Sequence, residues 1–477
     1  MQFAYMDSPR LYNGVRLIDR PSPENVRRLD LGALPMVNEM NGRGIYLDCE
    51  ELECLSIEIR DRLEGLEDEI DGMAGQRINP ESSQQVAPLV FHELALHPPG
   101  GIKFTKTGKE STVDDVLSTI QDLHPIVPMI LEHRGLVKIL GTYSDKMPLL
   151  VDEYSRVHTT FSAVTTSTGR LASSDPNVQN IPVRSVWGKR VRDAFRSTPI
   201  EVLREMTPGY HGPPTTLSAI DLSQIEMVWA AHLSQDPIMM GIFDRGDDIH
   251  TRTALAMMRL PESVCCCRGK NPDHDVTGHG CPVWNEFKIK YRLPSKTLGF
   301  GILYGVTPKG LVLQIAAAGG PSWSMDEAEE FIAKWFGVYT GVESWVQDQY
   351  ARARRYGMVW CAFGRVRYIP EVRSMLRGVV NAGLRQAGNQ PVTASAQGTI
   401  KLAMAQVMDE LVAEYQAYND VICWPLLQIH DELLFELSTN IAEEFSQKVH
   451  DVMVSATPLS VPVRAGIETG ELWGDLK

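Results

Sequence analysis

Acidic residues stand at two places where an apolar run stops, and both places could hold metal ions. The run TTLSAI leads into Asp221, and the triplet His430-Asp431-Glu432 separates the apolar runs PLLQI and LLFEL. The second pattern predicts a hairpin with acids at its tip, although Asn-Gly or Asp-Gly is the usual turn there. Neighbouring carboxylates raise each other's pKa, and a divalent cation removes that conflict. Two Mg²⁺ ions about 3.5–4 Å apart can hold the attacking and leaving oxygens of a phosphoryl transfer. For either pattern alone, the alternative is a solvated turn whose acids are incidental.

A second segment carries groups suited to a nucleoside triphosphate. Four side chains recur there at steps of four: Arg292, Lys296, Phe300 and Tyr304. In a helix each step of four drifts only about 40°, so the four side chains share one stripe. Two cations suit phosphates and two aromatic rings suit a base. Gly299 and Gly301 each weaken a helix by about 1 kcal/mol, which suggests close approach of a flat ligand. An ordinary amphipathic helix with the rings packed inward is the alternative.

The composition is that of a soluble protein with two or three lobes. The 477 residues contain no apolar run near the ~18–20 that a membrane span needs, and the N-terminus lacks a signal-peptide pattern. Eight cysteines, partly clustered, favour a reducing cytoplasm over a secreted disulfide scaffold. The net charge of −14 argues mildly against nucleic acid, but basic residues cluster locally. A solvated face explains any single cluster equally well. The clusters are Arg184–Lys189–Arg190–Arg192, Lys288–Lys290–Arg292–Lys296 and Arg352–Arg354–Arg355.

The surrounding elements are predicted to be helical lobes around a mixed sheet. Apolar positions at three- and four-residue steps predict a helix over 51–73, with Gly75 as its cap. Thr112 with Asp115 predicts a capping box that opens a second helix, and residues 126–140 predict a third. Strands are expected at 215–221 and 425–437, with mostly helical sequence between them. This order indicates an α+β fold.

Together these segments resemble family A DNA polymerases of the bacterial DNA polymerase I type, from about Leu34 to the C-terminus. The motifs that carry the resemblance are MNGRGIYLD, LEHRGLVKILGTYSDKMPLL, TSTGRLASSDPNVQNIPVR, DLSQIEM, DDIH, FGRVRYIPE and QIHDELLFE, in that order. The resemblance implies a right-hand fold with an antiparallel-sheet palm, helical fingers and a helical thumb. The expected divisions are an N-terminal arm (1–35), palm entry (36–49), thumb (50–150), first palm part (151–235), fingers (236–390) and second palm part (391–477).

The resemblance also implies roles for individual residues. Asp221 and Asp431 match the metal-holding aspartates, Glu432 the supporting acid, and Lys296 the proton donor to departing pyrophosphate. Phe300 lacks a hydroxyl, so discrimination against dideoxynucleotides is expected, and Glu226 matches a steric gate against ribonucleotides. The nucleotide-binding set is Arg292, Lys296, Phe300, Tyr304, His250, Glu226 and Gln224. The DNA-binding set is Arg184, Gln179, Asn180, Arg170, Arg385, Asn389, Gln428 and His430.

The implied cofactor is a pair of Mg²⁺ ions, for which Mn²⁺ can substitute. The implied partners are primer–template DNA and dNTPs, with no membrane and a monomeric state. Fewer than 50 residues precede the expected thumb, so no exonuclease domain is expected in this chain. Proofreading or processivity would then come from a separate protein, and a compact polymerase gene would suit a phage.

The chain departs from the family pattern in two places. Thr393 stands where the family usually has Gln, which puts one minor-groove contact in doubt. The insertion 262–287 could hold a structural Zn²⁺ through Cys265, Cys267, His274, His279 and Cys281, but free thiols in a surface loop are the alternative. Two rival functions are a single-subunit RNA polymerase and an inactive polymerase fold that serves as a duplex-binding scaffold.

Overall fold

The computed structural model describes residues 10–98, 101–182, 185–261, 281–303, 305–321 and 323–476, without the side chains of Phe300, Leu303 and Ala317. The α-helices are α1 (Pro23–Arg43), α2 (Cys49–Ala74), α3 (Ser83–Ala87), α4 (Asp114–Leu117), α5 (Ile126–Ile139), α6 (Val186–Asp193), α7 (Ile200–Met206), α8 (Ile225–Ser234), α9 (Pro237–Asp244), α10 (Ile249–Met258), α11 (Pro282–Phe287), α12 (Leu293–Leu303), α13 (Pro308–Ala317), α14 (Met325–Val338), α15 (Thr340–Tyr356), α16 (Arg377–Gln406), α17 (Ala413–Tyr415) and α18 (Ala442–Ser455). The strands are β1 (Ile45–Tyr46), β2 (Arg156–Val157), β3 (Thr160–Ser162), β4 (Ala172–Ser174), β5 (Thr215–Leu222), β6 (Met358–Trp360), β7 (Val366–Tyr368), β8 (Cys423–Ile429), β9 (Glu432–Ser438) and β10 (Ala465–Gly470).

A four-stranded antiparallel sheet lies at the centre of the molecule, in the order β10-β5-β9-β8. Strands β5, β8 and β9 form where apolar runs predicted them. Every residue of β8 and β9 is buried. Helix α1 packs along β8, and α18 packs along β5 and β10. The sheet therefore holds its strand ends in fixed positions.

A buried ion pair ties this sheet to the segment that precedes the first helical lobe. The side chains of Arg156 and Glu436 are fully buried, with Nη2 and Oε2 3.2 Å apart. The guanidinium also donates to the carbonyl oxygens of Arg43 and Gly44 at 2.7 and 2.9 Å. The Glu436 carboxylate accepts the Thr198 N–H at 2.6 Å. Each charge has several partners, as a buried charge requires.

The lobe between residues 49 and 150 is helical and has a core of its own. Helix α2 begins after Asp48, which accepts the Glu51 N–H, and ends at Gly75, whose φ of +65° is left-handed. That confirms the helix predicted over 51–73, and α5 likewise confirms the helix predicted over 126–140. A separate apolar cluster includes residues from Ile70 to Ile130.

The predicted capping box at Thr112 and Asp115 is wrong. Helix α4 begins at Asp114 after Val113, which provides no side-chain cap. Thr112 is buried, its carbonyl oxygen accepts from Arg134 Nη1, and its hydroxyl accepts from Arg134 Nη2 at 3.4 Å. The long-range contact to Arg134 therefore engages the side chain that local spacing assigned to the helix terminus.

The chain before the first helix is held in place by backbone hydrogen bonds. The N–H groups of Ile18 and Ser22 donate to the carbonyl oxygens of Ala362 and Gly364, which lie between β6 and β7. Helix α1 begins at Pro23, inside the expected arm of residues 1–35, and packs against α16 and β8. No helix in the described part of the chain is long and apolar enough to cross a membrane.

Candidate active site

Two acids that are 210 positions apart in the chain meet at one end of the sheet: Asp221 is near the end of β5, and Asp431 is in the turn that leads into β9. Asp221 lies at the end of β5, where it is paired in register with Glu432 of β9. The Leu222 N–H donates to the Asp431 carbonyl oxygen at 3.1 Å. Asp221 and Asp431 are partly exposed, whereas Glu432 is buried. The fold thus places two ligand-accessible carboxylates, with a third acid behind them, at one end of the sheet.

This arrangement fits a hard divalent cation bound partly by its substrate. Within the described ranges, no group of three or more His, Cys, Asp or Glu side chains is placed to hold a metal ion. Mg²⁺ does not need such a cage, because it keeps several waters and is commonly bound by one or two carboxylates plus substrate phosphates. Asp221 and Asp431 can supply that pair.

The hairpin between β8 and β9 forms one wall of a polar cavity of about 180 Å³. His430 adopts a left-handed φ of 58°, and its carbonyl oxygen accepts from Gln428 Nε2 at 2.6 Å. Gln179 Nε2 donates to the Gln428 carbonyl oxygen at 2.9 Å. Five expected DNA contacts line this cavity: Arg170, Gln179, Asn180, Gln428 and His430. The cavity thus gathers amide and guanidinium groups that can meet the acceptors common to minor-groove edges.

Two neighbours of the hairpin were not assigned a role by sequence reasoning. Gln397 of α16 lines the same cavity, and its Nε2 lies 3.5 Å from the His430 carbonyl oxygen. The Arg192 guanidinium lies 4.1 Å from the centre of the Trp473 ring. Desolvation lowers the pKa of His430, and the positive charges of Arg170 and Arg192 lower it further. The cluster that contains Arg192 was recognised in the sequence, but its contact with Trp473 joins residues far apart in the chain.

Two basic residues of that cluster, both on α6, form ion pairs within the protein. Lys189 pairs with Asp193 at 2.9 Å, and Arg190 pairs with Glu51 and Glu58 at 2.6 and 2.9 Å. The Arg190 contacts tie α6 to α2, whereas the Lys189 contact with Asp193 lies within α6. Lys189 therefore fits a solvated face that carries an ion pair, and Arg190 joins two helices.

Glu226 lies on the first turn of α8, beside the cavity, with 9% of its surface exposed. Arg170 Nη2 donates to its Oε1 at 2.8 Å. Gln224, just before the helix, has a left-handed φ of 54°. The ion pair holds the carboxylate in place.

The expected triphosphate ligands assemble where α10 meets α12. Arg292 ends the π-helical turn that leads into α12, and its guanidinium donates to both Asp248 carboxylate oxygens at 2.9 and 3.2 Å. Asp248 caps α10 by accepting the Thr251 N–H at 3.0 Å. Although burial opposes the shift, hydrogen bonds from Arg292 and Thr251 lower the pKa of Asp248 to about 2. The motif DDIH contained this acid, but sequence reasoning gave Asp248 no role.

His250 is buried beneath α12. A Cβ on Gly299 would lie 3.6 Å from its Nδ1 atom, in ordinary contact. Burial lowers the pKa of His250 to about 4, helped by the charges of Arg292 and Lys296 and opposed by Asp248. The imidazole is therefore neutral at pH 7. Lys296, which lies on α12, is exposed. Gly301 has a packing reason of its own, because a Cβ there would lie 3.0 Å from the Val306 Cβ.

Helix α16 carries the two expected template contacts one turn apart. Gly305 has a left-handed φ of 66°, and a Cβ there would overlap the Arg385 side chain. Thr393 is buried, and its hydroxyl donates to Asn389 Oδ1 at 3.4 Å. Asn389 Nδ2 is buried and makes no hydrogen bond within the residues that the structure covers. The short Thr393 side chain thus points to its neighbour, while Asn389 has a donor to offer.

Comparison with known proteins identifies the same family that the sequence motifs resemble. The model of the family described as DNA polymerase family A matches residues 49–266 and 279–475. The chain belongs to DNA polymerase family A. It is 37% identical to the thermostable DNA polymerase I of Thermus filiformis over 92% of this chain and 47% of the relative. It is 34% identical to DNA polymerase I of Deinococcus radiodurans over 93% of this chain and 41% of that protein. The chain thus spans about half the length of the curated relatives it matches.

A solved structure of the same family confirms the fold. The POL domain of Pol1 from M. smegmatis, in complex with DNA primer-template and dNTP, matches with a TM-score of 0.77 and 31% identity. The match covers 94% of this chain and 72% of that one. The family A right-hand fold predicted from the motifs is therefore confirmed, with the antiparallel sheet as its palm.

Several of the expected site residues lie outside the described residues. They are Arg184, Tyr304, Cys265, Cys267, His274, His279 and the side chain of Phe300. Cys281 is buried at the N-terminus of α11. The zinc site and the aromatic half of the nucleotide stripe stay predictions.

Proposed function

We propose that this chain is a DNA-directed DNA polymerase, which extends a primer 3′-hydroxyl with dNTPs on a DNA template and releases pyrophosphate. One observation carries the proposal: Asp221 at the end of β5 and Asp431 in the adjoining β8–β9 turn meet next to His430, which lines the polar cavity. The family A relatives, named DNA polymerase I, support it.

The primer end would lie in the cavity beside His430. Gln179, Gln428 and Arg170 would meet the minor-groove acceptors of the terminal pair, which tests pair shape without reading sequence. Two Mg²⁺ ions (or Mn²⁺) held by Asp221 and Asp431 would activate the 3′-hydroxyl and stabilise charge on the phosphates. Glu432, buried behind them, would support this pair.

The triphosphate would lie against the start of α12. Arg292 is positioned by Asp248 and can form paired hydrogen bonds to phosphate oxygens. His250 is neutral, so it would donate a hydrogen bond without adding charge. Lys296, exposed on the same helix, would donate the proton to departing pyrophosphate. Closure of the helical fingers over a correct pair would complete the site.

Sugar selection would depend on Glu226. Its carboxylate is held by Arg170 close to the hairpin, so a 2′-hydroxyl would have to displace a buried, paired side chain. This arrangement favours DNA synthesis over RNA synthesis. It distinguishes the proposed function from that of a single-subunit RNA polymerase.

A primer-extension assay tests the proposal. We expect a 5′-labelled primer on a DNA template to be extended with Mg²⁺ and four dNTPs, and far more slowly with four rNTPs. Equal use of rNTPs would support the RNA polymerase instead. Tight duplex binding without extension by either set would identify an inactive scaffold.

A further inference from the structure

A second cavity, away from the paired acids, is lined by arginines. It measures about 380 Å³ and lies between residues 10–22 and the first turns of α1. Its charged lining consists of one acid, Glu24, and four basic residues that we call the arginine pocket: Arg10, Arg16, Arg20 and Arg28. The pocket thus has a net charge of +3, in a chain whose total is −14.

Most of these charges have no internal counter-ion. Arg28 pairs with Glu24 at 2.6 Å, whereas Arg10, Arg16 and Arg20 form no ion pair with any residue that the structure describes. All four arginines are exposed. The contrast with α6 is direct, because Lys189 and Arg190 there are each paired with two acids. Like charges gathered in one cavity repel, and an anionic ligand would remove that cost.

The backbone that carries the pocket is well anchored. The Arg16 N–H donates to Asn25 Oδ1 at 2.9 Å, and Asn25 Nδ2 returns a bond to the Arg16 carbonyl oxygen at 2.8 Å. Val15 and Leu17 on either side of Arg16 are buried, which turns the arginine outward. The charges are therefore presented on a fixed surface, so little ordering cost opposes ligand binding.

The anchor points connect this pocket to the proposed template contacts. Residues 18 and 22 are bonded to the turn between β6 and β7. Arg367 of β7 donates to Gln386 Oε1 at 2.7 Å and to Gln390 Oε1 at 3.3 Å. Both glutamines lie on α16, between and beside Arg385 and Asn389. The β6–β7 hairpin therefore links the arginine pocket to the part of α16 that is expected to contact the template.

We propose that the arginine pocket binds phosphates of the single-stranded template ahead of the primer end. This rests on the proposed function, since it presupposes a primer–template substrate. Guanidinium groups match phosphate oxygens with paired hydrogen bonds and stay charged at every working pH. Exposed arginines without internal counter-ions suit a flexible strand whose phosphates can reach each of them.

The test compares two charge-matched triple variants of the whole chain. One is Arg10→Gln/Arg16→Gln/Arg20→Gln, and the control is Arg204→Gln/Lys334→Gln/Lys448→Gln, exposed or partly exposed cations on three other helices. Fluorescence anisotropy would measure the Kd for one duplex with either a long or a one-nucleotide template overhang, over a KCl series. For the long overhang, we expect the pocket variant to bind about 10-fold more weakly, with a salt slope shallower by about 2. The short-overhang Kd and all control values should match wild type.

Three results would overturn the inference. An unchanged long-overhang Kd would do so, as would equal weakening on both substrates, which would place the pocket on the duplex. If the pocket variant lost affinity for poly-glutamate while its Kd for DNA stayed unchanged, the pocket would be assigned to an acidic protein partner. Single-nucleotide extension of the short-overhang substrate by wild type reports separately on the proposed function, and thermal unfolding confirms that each variant folds.

Discussion

At the scale of single residues, the proposed role of Glu226 in sugar selection can be tested directly. Its carboxylate is nearly buried and bonded to Arg170, so its position is set by the fold. We predict that Glu226→Ala lowers the preference for dNTP over rNTP by about 10- to 200-fold, as removal of one steric contact of about 1–3 kcal/mol would. The measurement is the ratio of kcat/KM for matched dNTP and rNTP.

Glu226→Gln serves as the control for this prediction. It keeps the side-chain volume and an oxygen that can still accept the Arg170 hydrogen bond, and it removes only the charge, so most of the preference should remain. An unchanged ratio in the alanine variant would contradict the gate.

The sequence pointed to the charged candidates for the site but not to the environment that each one has in the fold. Asp221, Asp431, Arg292 and Lys296 were identified from residue type and spacing. The neutral imidazole of His250 was not, because it follows from burial under α12, which begins 43 positions later in the chain. The Asp248 contact to Arg292 likewise joins two elements whose packing no local pattern reports.

At the scale of elements, the pair of Arg156 and Glu436 joins β2 to the palm sheet, and Arg156 also bonds the chain before α2. We predict that Arg156→Leu lowers the free energy of unfolding by about 3–5 kcal/mol, because it leaves a buried carboxylate without its counter-ion. Chemical denaturation would measure the change.

The double variant Arg156→Leu/Glu436→Leu is the informative comparison. It removes both charges, so it should be less destabilised than the sum of the two single variants. Strict additivity would show that the pair contributes nothing beyond its separate side chains.

Helix α8 contains a histidine that makes stability depend on pH. Burial lowers the pKa of His232 to about 4, and its Nδ1 accepts the Ser460 N–H at 3.0 Å. In the unfolded chain this histidine binds a proton near pH 6.5. The stability that comes from its neutral form is therefore fully present above pH 6.5 and is lost as pH falls towards 4. We predict a loss of about 3 kcal/mol from this group across that window, measured by denaturation at several pH values.

His232→Asn separates this effect from general acid denaturation. The amide can accept the same N–H and does not titrate, so the slope between pH 6.5 and 4 should be shallower. An equal slope in both proteins would exclude His232 as the source.

Elements with strong periodicity could be predicted, and contacts between elements could not. Helix α2 and strands β5, β8 and β9 follow from apolar spacing and from Gly75. The prediction of a capping box failed because Arg134, 22 positions away, donates a hydrogen bond to the Thr112 hydroxyl. Arg190 looked available for DNA until the fold placed Glu51 and Glu58 beside it.

At the scale of the whole molecule, the fold reconciles an acidic chain with the anionic substrate that we propose. The net charge of −14 is an average, and positive groups are gathered at the polar cavity beside the hairpin, at the start of α12 and at the arginine pocket. Phosphate binding depends on such local fields more than on the total charge. The order of the motifs predicted the right-hand fold correctly, since family A membership fixes a topology that composition leaves open.

The proposed reaction requires Asp221 and Asp431 to act together. The direct measurement is single-turnover primer extension in Mg²⁺ by Asp221→Asn and Asp431→Asn, with primer–template Kd measured in parallel. Asp244→Asn, an exposed acid at the end of α9, is the matched control. We predict that each site variant loses at least about 10³-fold in rate while binding primer–template within about threefold of wild type. Extension by either variant at a rate near that of Asp244→Asn would contradict the assignment.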